Sequence, residues 1–342
     1  MATPASQHPP ASQALRLIGI EMSPYTLKVR SYLRYKQIPF EWISRNRKNE
    51  ALFQKHARVQ LIPLVLFSDD DAMQDSTPII ERLEAEHPEP SIHPDEPAAR
   101  FVSELLEEFG DEWCNKLMFQ YRWGPKEDAR SAARRISALM MTGFPWMALR
   151  PILVPFMIRR MVPRMAFAGA NETNAPHLER SWFRTVELLE AHLEQRPYLF
   201  GGRPAFADFG IWGNLNQAYS DPTCGRHLSQ NAPAVVRWIE RMDSPKAQGE
   251  FENLGNVLPS LRPLLEEQVA GRFLPWSLAN ARALEAGEKE TALEFDGLPY
   301  VQKTFKYHAW SLEQLKKKFA DVSNDPVLRD LLSETGCSPY LD

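Results

Sequence analysis

Cysteine is scarce in this chain. Its 342 residues hold three, Cys114, Cys224 and Cys337, far apart and with no Cys-x-x-Cys pair. That excludes a disulfide framework and any zinc-ligand spacing, and it suits a reducing compartment, hence a cytoplasmic location. An excess of one charge is also absent: 40 Lys and Arg stand against 44 Asp and Glu, for a formal net charge of −4. The basic residues are dispersed except in one segment, so no electrostatic footprint for nucleic acid is present. No uninterrupted apolar run reaches the roughly 20 residues of a membrane span. Residues 1–13 are Pro, Ser and Ala without a basic start or an apolar core, and they read as a disordered tail, not a signal peptide. The length leaves room for two domains, or for one with a large appendage.

What the chain does have begins with a strand-like run, Leu15-Arg16-Leu17-Ile18-Gly19-Ile20, followed closely by Ser23-Pro24-Tyr25-Thr26-Leu27-Lys28-Val29-Arg30. Pro24 fits the first position of a helix, where its missing N–H has no partner to lose. Ser23 then stands where orphan backbone N–H groups and the helix dipole favour an anion. A hydroxyl there is either a plain N-cap or a donor that lowers the pKa of a bound thiol. Three further segments bear on that choice. They are Val59-Gln60-Leu61-Ile62-Pro63-Leu64-Val65-Leu66-Phe67, Met73-Gln74-Asp75-Ser76-Thr77-Pro78-Ile79-Ile80, and Leu199-Phe200-Gly201-Gly202-Arg203-Pro204-Ala205-Phe206-Ala207-Asp208. Asp75-Ser76 has a capping logic of its own, because a hydroxyl and free N–H groups at a helix start can hold a carboxylate.

In this order and spacing the four segments resemble the cytosolic glutathione transferase superfamily, over roughly residues 14 to 245. The resemblance implies an α/β thioredoxin-like N-terminal domain at 14–88, read as strand, helix, strand, helix, strand, strand, helix. An all-α domain of the transferase type follows at 95–245, and then a folded extension at 246–342. It implies glutathione as co-substrate, no metal, a small hydrophobic electrophile as second substrate, and a possible homodimer. Ser23 would assist the thiolate, with Thr26 in reserve. Ile62 and a cis Pro63 would present a backbone edge to the tripeptide, and Asp75 and Ser76 would hold its γ-glutamyl end. Serine in place of cysteine argues against thiol exchange, since a hydroxyl forms no mixed disulfide. Tyr25, Trp113, Phe119, Tyr121 and Trp123 would line the hydrophobic pocket, although aromatics at helical spacing also pack inward as core.

Two departures from the family pattern stand out. Gln60-Leu61 replaces a Gly-Lys pair common before the cis-proline loop, removing a cation that could meet the glycyl carboxylate; Arg58 and Lys55 are the nearby substitutes. Ala205 replaces a Ser or Thr, leaving Asp208 without its usual reciprocal partner, a loss on the scale of a missing cap, roughly 1 kcal/mol. These losses keep a second function in view, a non-catalytic binding or scaffolding protein on the same fold.

Two regions have no counterpart in that resemblance. Residues 129–171 hold seven Arg, six of the eleven Met, and no Asp, Glu or Lys. Pro145, Pro151, Pro155 and Pro163 are expected to break them into short helices. The segment reads as a hairpin completing the core, as a lid for apolar ligands, or as a contact with an anionic membrane surface. In the extension, a helix is expected from Leu274, a hairpin around Gly297 within 293–305, and helices near 310–319 and 326–332. Tyr307 and His308 either reach the cleft or pack at the surface.

Overall fold

The structure, a computed structural model, describes residues 14–142 and 146–341. The tail expected at 1–13, and Pro145, lie outside the described residues.

The N-terminal unit runs β1 (Leu15–Gly19), α1 (Pro24–Tyr35), β2 (Phe40–Ser44), α2 (Glu50–His56), β3 (Leu64–Leu66), β4 (Ala72–Gln74) and α3 (Ser76–Glu86). Its sheet has the order β2-β1-β3-β4; β1 and β2 are parallel, and the other two pairs antiparallel. Alternation along the strands sorts two apolar layers. Leu17 and Val65 join α1 and α3 in the main core, whereas Ile18, Leu64 and Leu66 pack with Ile43 and with Phe53 of α2. This is the thioredoxin-like arrangement.

The helical unit is built on one long helix, α4 (Pro97–Phe109) and α5 (Asn115–Trp123), joined by the π-helical turn Gly110–Cys114. It packs on α9 (Phe206–Tyr219), which is apolar nearly all round and correspondingly buried. The two helices touch at glycines: a Cβ on Gly110 would lie 2.4 Å from the Ile211 nitrogen, and one on Gly210 2.6 Å from the Glu107 carbonyl oxygen. Between α5 and α9 come α6 (Lys126–Met140), α7 (Arg150–Met161), a 3₁₀ segment Val162–Ala168 and α8 (Ala175–Leu193). Pro155 does not break α7 as expected. The carbonyl it leaves without a donor belongs to Pro151 on the exposed side of the helix, where water can replace the missing N–H.

The start of α9 corrects the expectation for Asp208. Its carboxylate accepts from the N–H groups of Ala205 (2.8 Å) and Leu199 (3.0 Å) and from the Trp238 indole (2.8 Å). The N–H of Asp208, which a Ser or Thr hydroxyl would take, goes instead to the Ala205 carbonyl at 3.0 Å. Every donor and acceptor at this cap has a partner without the missing hydroxyl.

After α10 (Pro222–Asn231) and α11 (Pro233–Met242), the extension forms a second long helix, α12 (Leu254–Leu264) and α13 (Leu274–Glu285), through the π-helical stretch Leu265–Phe273. The hairpin β5 (Glu290–Phe295) and β6 (Leu298–Lys303) turns on Asp296 (φ 53°) and Gly297 (φ 75°), the positive pair that a tight two-residue turn demands. Then follow α14 (Lys306–Val322), α15 (Pro326–Glu334) and α16 (Ser338–Leu341). The extension packs back on α4, and its apolar side chains belong to the main core.

Candidate active site

Sheet register brings the motifs together. Ile18 of β1 pairs with Leu64 of β3, which pairs with Gln74 of β4. One end of the sheet therefore carries the turn into Ser23, the Ile62-Pro63 loop and the Asp75-Ser76 step. Arg45 is there too, since its N–H reaches the Gly19 carbonyl at 2.7 Å.

Ser23 is the N-cap of α1, its Oγ accepting from the Thr26 N–H at 3.2 Å. The cap uses an oxygen lone pair and leaves the hydroxyl proton to be donated. Thr26 does not share this position. Its side chain is shut off from solvent against Gly19, where an added Cβ would lie 2.1 Å from the threonine methyl.

The Ile62–Pro63 bond is cis. Gln74 holds the loop before it: Oε1 accepts from the N–H groups of Arg58 and Val59, and Nε2 donates to the carbonyls of Val59 and Leu61 at 2.9 and 2.6 Å. Neither Arg58 nor Lys55 forms an ion pair there; the cation bonded to the loop is Arg45, which reaches the carbonyl and side chain of Gln60 and pairs with Glu50.

Asp75 sits at φ 82° and ψ 125°, a conformation costly for a residue with a Cβ and typical of functional sites. Burial raises its carboxyl pKa, against the lowering influence of the Tyr307 hydroxyl, which donates to Oδ2 at 2.7 Å. The adjacent Ser76 hydroxyl is buried and has no partner. An orphan donor at the start of α3 fits a carboxylate.

Behind this edge lies a residue that motif reading passed over. Lys28, on the buried face of α1, bonds Glu107, Asp111 (2.7 Å) and Thr77 (2.9 Å), and Thr77 donates to Glu107 at 2.7 Å. Burial alone would lower the lysine, but Asp111 and Glu107 together overcome it and push its pKa up. Burial raises Asp111 to about 8 despite Lys28. The signal in the sequence was a lysine four residues after Pro24 on a face otherwise filled by Leu, Val and Tyr.

The extension forms the rim. From α14, Tyr307 reaches Asp75, His308 pairs with Glu112, Ser311 with Glu108, and Lys318 with Glu81 at 2.6 Å. Burial, followed by the repulsion of Glu112 and Glu107, drives the Glu108 carboxyl well up.

The same extension changes the expected pocket. Trp113 is wholly buried, packed on Trp276, Phe295 and Tyr300, with its indole donating to Ser181 at 2.9 Å. Tyr121 lies against Trp182 and Phe183, and Trp123 is also core. These three are not an open wall: α13 and the hairpin cover Trp113, Trp182 and Phe183 of α8 cover Tyr121, and the apolar area is removed from water. Phe119 is half-buried against the core. Tyr25 remains at the domain junction, its hydroxyl bonded to the Asp111 carbonyl at 3.0 Å. Among the described residues no group of three or more His, Cys, Asp or Glu is arranged to hold a metal ion.

Comparison with known proteins agrees with this arrangement. Residues 17–91 match the family model of the glutathione S-transferase N-terminal domain, and residues 171–241 that of the glutathione S-transferase C-terminal domain. The thioredoxin-like unit and part of the helical unit are thus each similar to a glutathione S-transferase domain. A probable glutathione S-transferase, GSTU6 of Oryza sativa subsp. japonica, is 25% identical over 138 residues, 37% of this chain; the match spans 58% of that relative's length. Among solved structures, a glutathione S-transferase of Methylobacterium radiotolerans in complex with glutathione sulfonate is 20% identical, covering 70% of this chain and 99% of that one, with a TM-score of 0.43. FzlA from C. crescentus is 17% identical, covering 74% and 92%, with a TM-score of 0.45.

Proposed function

We propose that this protein is a glutathione-dependent transferase in which Ser23 holds the thiolate of glutathione for attack on a small apolar electrophile. The observation that carries the reading is the buried, unpaired hydroxyl of Ser76 beside the Asp75 carboxylate. This pair offers an acceptor for the γ-glutamyl ammonium and a donor for its carboxylate, at the same end of the sheet as Ser23. Bound glutathione supplies the nucleophilic sulfur. The chain's own contribution is placement: Asp75 and Ser76 fix one end of the tripeptide, the Ile62 backbone aligns its middle, and Ser23 donates its free proton toward negative charge at the N-terminus of α1. Proximity and a stabilised anion suffice, and no covalent bond to the protein is needed.

The electrophile would enter beside Tyr25 at the domain junction, since Trp113, Tyr121 and Trp123 are core. The alternative of a non-catalytic binding protein draws on Tyr307, which already occupies one oxygen of Asp75, and on the absent Gly-Lys. Calorimetry with glutathione separates the two. Binding that Asp75→Ala abolishes, with turnover of an activated aryl chloride that Ser23→Ala cuts by about 10²-fold at little change in affinity, is the expected result. No binding at several millimolar, or equal loss of binding and turnover in Ser23→Ala, overturns the transferase reading.

A further inference from the structure

The Arg- and Met-rich segment that interrupts the helical domain presents an unusual outer face. Seven of the fifteen large apolar side chains exposed among the described residues lie between 140 and 167, including Ile152 at 70%, Phe156 at 56% and Phe167 at 53%. Helix α7 turns Met157 inward and shows water Pro151, Ile152, Pro155, Phe156, Arg159 and Arg160. Large apolar groups thus stand on its solvent side as well as inward, where Val154 and Ile158 pack on the core, and Arg164 continues the basic border. None of Arg159, Arg160 and Arg164 pairs with a carboxylate among the described residues. From 129 to 171 there are seven Arg and no acidic residue or lysine.

We infer that this face docks on the surface of an anionic lipid bilayer, with α7 lying in the interface. Isolated apolar side chains on a surface need no explanation, but a concentration of them bordered by unpaired arginines does. The charge chooses the occupant. A second copy of the chain meeting this face about a two-fold axis would bring two arginine-bordered patches of like charge together. A partner helix needs a groove, and the clefts of about 460 and 410 Å³ elsewhere on the molecule use none of these exposed apolar residues. A bilayer needs no groove: it takes Ile152 and Phe156 at the acyl boundary while its anionic headgroups meet the guanidinium groups. No helix among the described residues is long and apolar enough to cross a membrane, so the contact is peripheral.

Vesicle flotation of the full chain tests this without reference to catalysis. The wild type is expected to float with phosphatidylcholine vesicles containing about 30% phosphatidylserine, weakly with phosphatidylcholine alone, and to be released as salt rises from about 0.1 to 1 M. The Arg159→Glu/Arg160→Glu/Arg164→Glu variant should bind at least ~50-fold more weakly. The Ile152→Ser/Phe156→Ser variant should lose on the order of 30-fold while keeping wild-type salt release from what binding remains. All substituted side chains are exposed, and thermal unfolding verifies that the variants fold. No flotation of the wild type, or unchanged binding in either variant, overturns the inference. So does a dimer in sedimentation equilibrium that Ile152→Ser/Phe156→Ser dissolves, or retention on polyglutamate without vesicle binding, which would give the face to a second copy or an acidic protein.

Discussion

Lys28→Met removes a buried cation from the junction of the two domains while keeping most of its volume. In the native protein its side chain and that of Glu107 are 1% and 2% exposed, and its Nζ lies 2.7 Å from Asp111. The variant leaves two carboxylates facing each other where water does not reach. Breaking a buried pair in this way costs about 3–5 kcal/mol. With an unfolding entropy of about 2.1 cal/mol/K per residue, a chain of this size should lose about 4–7 °C in Tm. The loss has a definite pH signature. Buried carboxylates without a cation have raised folded pKa values, so the folded variant binds protons more readily than the unfolded chain and recovers stability as pH falls through them. The deficit should be largest near pH 8 and shrink toward pH 5. Adding Glu107→Gln and Asp111→Asn should restore most of it at pH 8, because neutral amides can bond Thr77 without a counter-charge. Because Thr77 follows Ser76, glutathione affinity should weaken alongside. Differential scanning calorimetry of the variants at both pH values decides the matter. A loss under about 1 kcal/mol at pH 8, or one indifferent to pH, would refute the assignment of Lys28 as the clasp of the junction.

Three further outcomes follow from other side chains. His192 bonds Leu199 O and Ser260 at 2.9 Å each, and burial holds its pKa down at about 4. It therefore contributes stability present above pH 6.5 and lost as pH falls toward 4, so a Tm–pH series for His192→Gln should show a shallower acid limb than the wild type; parallel limbs would contradict it. Tyr307→Phe removes the hydrogen bond that opposes the raised Asp75 pKa; if Asp75 holds the γ-glutamyl end as proposed, glutathione binding should then fail at a higher pH, and calorimetry showing an unmoved acid limb would dismiss that contact. Asp208→Asn turns a carboxylate that accepts three N–H bonds into a group with one acceptor oxygen and an NH₂ facing the Ala205 N–H, and should cost about 1–3 kcal/mol in chemical denaturation.

What could be read in the sequence was local or paired locally. Ser23-Pro24 writes its own helix start, Asp296-Gly297 its own turn, and the alternating β1 run its two faces, since the partners that decide each case lie within a few residues. The Ile62-Pro63 and Asp75-Ser76 segments were legible because antiparallel register ties neighbouring strands end to end. Trp113 was not, because its fate depends on Trp276, Phe295 and Tyr300, more than 150 residues away in a segment whose packing no nearby residue dictates. Pro155 was misread because proline disfavours a helix interior without forbidding it, and the Pro151 carbonyl it leaves without a donor is on an exposed residue. These failures have one physical source. Periodicity tells which face of a helix is apolar but not what will cover it. At Trp113 the extension covers that face, at Tyr121 α8 does, and the expected open pocket becomes core. On α7 no part of the described chain covers it, and the apolar face stands in water. The same ambiguity, resolved in opposite directions, buries Trp113, Tyr121 and Trp123 and leaves the apolar side chains Ile152 and Phe156 of α7 exposed.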